Sequence, residues 1–132
     1  MQQIDAALRG ATFTPGSLAA HTRKRIGDGQ WADGTSEAEY SADVAAALAD
    51  TSAGLVIYER RGGALAAVLA LNPVPPNRRG FAAQRLLFVV YSADRDTIVT
   101  GYQTEGLDRL AIPARHIWLR PPPPSGSASS SS

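Results

Sequence analysis

The chain changes character at Gly54. Before it, helix formers dominate and apolar residues recur at helical spacing. After it, β-branched and aromatic residues alternate with period two. That segregation predicts an α+β fold in which N-terminal helices pack on a C-terminal antiparallel sheet of four or five strands.

Ile4, Ala7 and Leu8 lie on one helical face that ends near Gly10, which gives a short first helix. Thr14-Pro15-Gly16-Ser17 reads as a helix start, because proline suits the first turn and hydroxyls cap free amides. A second helix is expected over residues 17–26. Residues 28–34 carry turn chemistry. Ser36 followed by Glu39 then forms a capping box for a third helix over residues 36–50, lined by Tyr40, Val44, Ala47 and Leu48. Strands are predicted at residues 55–58, 64–71, 86–91, 97–103 and 116–120, with turns at residues 60–63 and 92–96. Pro73, Pro75 and Pro76 bar a central strand over residues 72–80, so an exposed loop is expected there. From Pro121 onward the chain is proline and serine with nothing to bury. Residues 1–120 thus read as one globular domain and residues 121–132 as a disordered tail.

Thirteen basic and 12 acidic residues leave a net charge of +1, which excludes bulk basicity as a means of holding nucleic acid; any polyanion site must be a local patch. The absence of cysteine removes disulfides, thiolate metal sites and cysteine nucleophiles. With two histidines, a protein-built zinc centre would need carboxylate help, so neither metal nor cofactor is expected. No apolar run approaches the roughly 18 residues of a membrane span, and no secretory signal is visible.

Two clusters carry candidate chemistry. His21, Arg23, Lys24 and Arg25 fall on the second helix, and the i to i+4 spacing sets His21 and Arg25 on one face. Imidazole gives and accepts protons near neutrality, and guanidinium offers a planar fork of donors to phosphate. Thr100 and Tyr102, two apart in a strand, must share one face of the sheet. A plain structural account of each also exists: a solvated basic helix face and a polar-faced strand. Arg78, Arg79 and Arg85 extend a positive surface, while Glu37, Glu39 and Asp43 of the third helix lie apart and restore the near-zero total. Trp31, in a Gly- and Asp-rich loop, is a candidate base-stacking residue or a loop anchor. His116 reads as a histidine at the core's edge bonded to a backbone carbonyl.

A basic helix with His21, a further helix, and a meander running from Phe88-Val89-Val90-Tyr91 to Ile98-Val99-Thr100-Gly101-Tyr102 is similar to the barnase, colicin and RelE-type ribonuclease superfamily (the BECR fold), including its toxin branches. The resemblance spans roughly residues 17–102. It implies metal-independent RNA cleavage in which the ribose 2'-hydroxyl attacks its own phosphate and leaves a 2',3'-cyclic phosphate. His21 would be the general base or acid, Arg25 with Arg23 or Lys24 would stabilise phosphoryl charge, and Thr100 and Tyr102 would hold the phosphate or assist the leaving oxygen. It also implies a cytoplasmic site of action, delivery as part of a larger toxin, and an acidic cognate immunity or antitoxin protein.

The competing class is a non-catalytic module that docks an acidic partner protein or structural RNA through the basic helix. Geometry separates the two. An enzyme needs His21 within roughly 8 Å of the Thr100 and Tyr102 hydroxyls, so that one phosphate can bridge them. A serine hydrolase lacks its Gly-x-Ser-x-Gly elbow here, and a nucleotide fold lacks its glycine signature.

Overall fold

The capping box forms as read. Ser36 Oγ accepts from the Glu39 amide at 3.0 Å, and Glu39 Oε1 accepts from the Ser36 amide at 2.9 Å, opening the third helix at Glu37. In the computed structural model, which describes residues 2–61 and 63–123, three helices precede all the strands. They are α1 (Gln2–Gly10), α2 (Pro15–Gly27) and α3 (Glu37–Leu48). The strands are β1 (Gly54–Arg60), β2 (Gly63–Leu71), β3 (Leu86–Ser92), β4 (Thr97–Thr104) and β5 (His116–Arg120). They form one sheet in the order β4-β3-β2-β1-β5, antiparallel at every pairing. The α+β architecture follows the sequence. The one non-sequential step is β5, which crosses to the far edge and pairs with β1.

Alternation along the strands divides the apolar residues between two faces. Leu55, Ala66, Val68, Leu87, Val89 and Ile98 join Leu8, Tyr40, Val44 and Leu48 beneath the helices. Val56, Leu69, Leu86, Phe88 and Val90 form a second cluster on the outer face, against which Leu110, Ile112 and Trp118 pack. Burying an aliphatic side chain of this kind contributes about 1.5–3 kcal/mol, so both clusters matter to stability.

One irregularity sets the site. In the β3–β4 ladder Tyr91 faces Ile98 whereas Val90 faces Thr100, which leaves Val99 as the extra residue of a β-bulge. Ile98 can therefore enter the helix-side core while Thr100 shares the outer face with Tyr102. Gly101 between them faces the helices. A Cβ there would meet Val44 Cγ2 at 2.9 Å, so glycine is what lets α3 lie this close to β4.

The proline segment departs in part from expectation. Residues 72–80 form no strand and expose Pro76, Asn77 and Arg79, but Val74 is fully buried and Pro76–Arg78 form a short 3-10 turn. The Ala32 amide donates to the Arg78 carbonyl at 2.9 Å and the Gly80 amide to Gln30 at 3.2 Å. Proline pre-sets an extended backbone, so the segment can dock edge-on to residues 29–32 and drive Val74 inward at little entropic cost. Of the expected tail, residues 124–132 lie outside the described residues. Pro122 packs so closely on β1 that a Cβ on Gly54 would come within 2.8 Å of its Cα.

Candidate functional site

Helix α2 runs beside β4, the edge strand, and its His21–Arg25 face turns toward it. The His21 ring lies against Phe13 with centroids 5.7 Å apart, and its Nδ1 is 3.5 Å from Thr100 Oγ1, at the outer limit of a hydrogen bond. Residues 79 positions apart are thereby brought to one spot. Burial lowers the His21 pKa below 6.5, and the charges of Arg25 and Lys24 push the same way; a hydrogen bond with the Val99 backbone opposes them. The bulge that re-phases β4 thus also supplies the backbone group that holds the imidazole.

Arg25 takes a different posture from the one its sequence position suggests. It is 8% exposed, its Nη1 donates to Asp28 Oδ2 at 3.0 Å, and its guanidinium carbon lies 5.6 Å from the centre of the Tyr102 ring. Its Nε is buried and has no hydrogen-bond partner among the described residues. A guanidinium so enclosed acts on Tyr102 as a cation over a π face and a nearby positive charge rather than as an open phosphate clamp. Burial raises the Tyr102 pKa, while Arg25 and Arg60 pull it down. Tyr58 is raised by burial too, with Arg60 opposing and Tyr102 adding to the rise. At neutral pH the site therefore presents a largely neutral imidazole beside protonated phenols.

Thr100 and Tyr102 open onto a cavity of about 350 Å³ on the outer face of the sheet. Phe88, Leu65 and Val90 contribute apolar walls, Tyr58 and Ser92 contribute hydroxyls, and Arg60, Arg61 and Arg95 stand around it. Phe88 and Tyr102 meet edge to face with centroids 5.6 Å apart. The loop after β4 closes one side, where Arg60 Nη2 donates to the Ala111 carbonyl. Among the described residues that line it none is acidic. Sequence reading treated Arg60, Arg61 and Arg95 as turn residues. The usable signal was parity: Tyr58 and Arg60, two apart in one strand, must share a face, and the hairpins then bring the other two arginines to that end of the sheet.

The remaining candidates scatter. Arg23 and Lys24 are exposed on α2. Arg79 is exposed, with its Nε donating to the Val74 carbonyl at 2.7 Å, and Arg85 is half-buried just before β3. Trp31 takes the loop-anchor alternative rather than the base-stacking one, and the positive surface expected at Arg78 is corrected. Trp31 is 1% exposed, packs edge-on against Tyr40 and donates from Nε1 to Asp43 Oδ2 at 3.0 Å, so it anchors the core and is closed to a base. Arg78 is committed to Asp43, with its Nε 3.0 Å from Oδ2 and its Nη2 on Oδ1, and Glu39 lies 4.0 Å away. Asp43 does not stand apart from the basic loop; it neutralises it. His116 bonds from Nδ1 to the Pro113 carbonyl at 2.6 Å, as read, but on the exposed edge strand β5.

Among the described residues no group of three or more His, Asp or Glu side chains could hold a metal ion, and no helix is long and apolar enough to cross a membrane. Compared with family models, curated proteins and solved structures, the chain matches none.

Proposed function

We propose that this protein is an endoribonuclease that cleaves RNA by internal attack of the ribose 2'-hydroxyl, in the manner of a ribonuclease toxin. The observation that carries the reading is the 3.5 Å approach of His21 Nδ1 to Thr100 Oγ1 at the lip of a cavity with three arginines and, among the described residues, no acidic one in its lining. A phosphodiester at Thr100 is within reach of a base, hydroxyl donors and unneutralised positive charge.

His21, largely neutral at pH 7, accepts the 2'-hydroxyl proton as the O2'–P bond forms. Thr100 donates to a phosphoryl oxygen, and Arg60 and Arg95 offset the charge that develops there. The P–O5' bond breaks and Tyr102, whose phenol retains its proton at this pH, gives it to the departing oxygen. Arg25 eases that transfer by stabilising the phenolate across the ring face. The products are a 2',3'-cyclic phosphate and a free 5'-hydroxyl, and no step requires a metal. The positive charge around the cavity would also attract an acidic inhibitor protein, the partner that such an enzyme needs inside a cell.

The test is incubation of purified protein with total RNA in EDTA, followed by end-group analysis. Wild type should leave cyclic phosphate ends, and His21→Ala should slow cleavage by about 100- to 10,000-fold. Equal digestion by the two proteins removes His21 from the mechanism. If no RNA pool is cut, the fold serves as a binding module instead.

A further inference from the structure

We propose that the outer-face cavity is a nucleotide subsite that takes one unpaired nucleobase against the half-buried ring of Tyr102 and an attached phosphate on Arg60, Arg61 and Arg95. Its place in catalysis rests on the ribonuclease reading; its ligand chemistry stands on the cavity alone. At about 350 Å³ it lies near the lower end of the roughly 300–1,000 Å³ typical of small-molecule sites. One base with its phosphate fits such a space and a base pair does not, so the strand must be single at this point. Of the aromatic residues lining the cavity Phe88 is 3% and Tyr58 6% exposed, so the half-buried Tyr102 ring supplies the π surface, of the kind on which unstacked bases settle regardless of identity.

Charge decides the second half of the ligand. Among the described residues none of the three arginines forms an ion pair. Asp94, whose carboxylate lies beside Gly63, accepts from the Ala64 amide at 3.1 Å. Arg60 is held in place by its bond to the Ala111 carbonyl, which uses one donor and leaves the charge unbalanced. Three guanidiniums without an ion pair among the described residues, around one cavity with an aromatic wall in a chain whose net charge is only +1, fit an anion that carries a flat ring.

Binding is measured on the His21→Ala protein by calorimetry and by NMR shift mapping. The probes are the four nucleoside 3'-monophosphates, a nucleoside and inorganic phosphate. The 3'-monophosphates should bind about tenfold or more tightly than either fragment alone and should shift the Tyr58 and Tyr102 resonances. Arg61→Ala with Arg95→Ala, both at exposed positions, should weaken that binding about tenfold or more while the fold, checked by circular dichroism, is kept. Inorganic phosphate binding as well as a nucleotide overturns the proposal, as does unchanged nucleotide affinity in the double variant. Cleavage by wild type without nucleotide binding defeats the subsite and leaves the nuclease reading. Nucleotide binding without cleavage does the reverse.

Discussion

In the proposed reaction His21 accepts a proton, which only the neutral imidazole can do, and its surroundings favour that form: burial, Arg25 and Lys24 all disfavour the imidazolium. Cleavage should therefore hold to more acidic pH than a free imidazole of pKa about 6.5 would permit, then fall as His21 becomes protonated. Lys24→Met, which removes one of those charges at an exposed position, should raise the His21 pKa, read as an upward move in its NMR titration midpoint. Stability follows the same sign. Because the folded pKa is the lower one, the unfolded chain binds more protons, and stability is lost as pH falls from about 6.5 toward the folded value. His21→Gln should flatten that slope in denaturation curves taken between pH 7 and 5. At this scale the pairs within each element, His21 with Arg25 and Thr100 with Tyr102, were legible in residue spacing, since i to i+4 and i to i+2 relations are local geometry; that the two pairs meet was implied only by the family resemblance. Spacing left Trp31 between a loop anchor and a base-stacking residue, because the choice depends on Asp43, 12 positions away, offering a carboxylate that also holds Arg78.

Strand β4 carries two roles on one backbone. Tyr40 donates its hydroxyl to the Gly101 carbonyl at 2.6 Å, tying α3 to the residue between Thr100 and Tyr102. Tyr40→Phe leaves that buried carbonyl unpaired and should cost about 1–3 kcal/mol in chemical denaturation. Gly101→Ala, which forces a methyl against Val44, should cost about 1–3 kcal/mol and lower cleavage as well, because β4 must shift. Further along, Gln30 copies a strand with its side chain. Its Oε1 accepts from the Gln103 amide at 2.7 Å and its Nε2 donates to the Gln103 carbonyl at 3.2 Å, while Gln103 Oε1 accepts from Asn72 and Gln84. The helices and strands themselves were readable from capping residues and periodicity. The bulge at Val99, the amide network and the docked proline segment were not, since each depends on partners that come together only after the sheet has formed.

Across the whole molecule, the ends of the fold are tied. Arg120 Nη1 meets Asp5 Oδ1 at 2.7 Å and its Nε donates to the Ala53 carbonyl at 2.9 Å, joining β5 to α1 and to the lead-in of β1. Arg120→Ala should speed amide exchange in β5 and leave β2 and β3 protected, as expected of an edge strand released from a half-buried clamp. The candidate site opens on the outer face of the sheet while the helices pack on the other, and α2, beside the edge strand β4, is the element that joins the two. The imidazole and the hydroxyl therefore straddle a seam between two elements instead of sharing one. Warming should part that seam while the interior is still intact, so RNA cutting should fail several degrees before the calorimetric melt. An inhibitor would need only to wedge the same margin open, with no need to fill the cleft it disables.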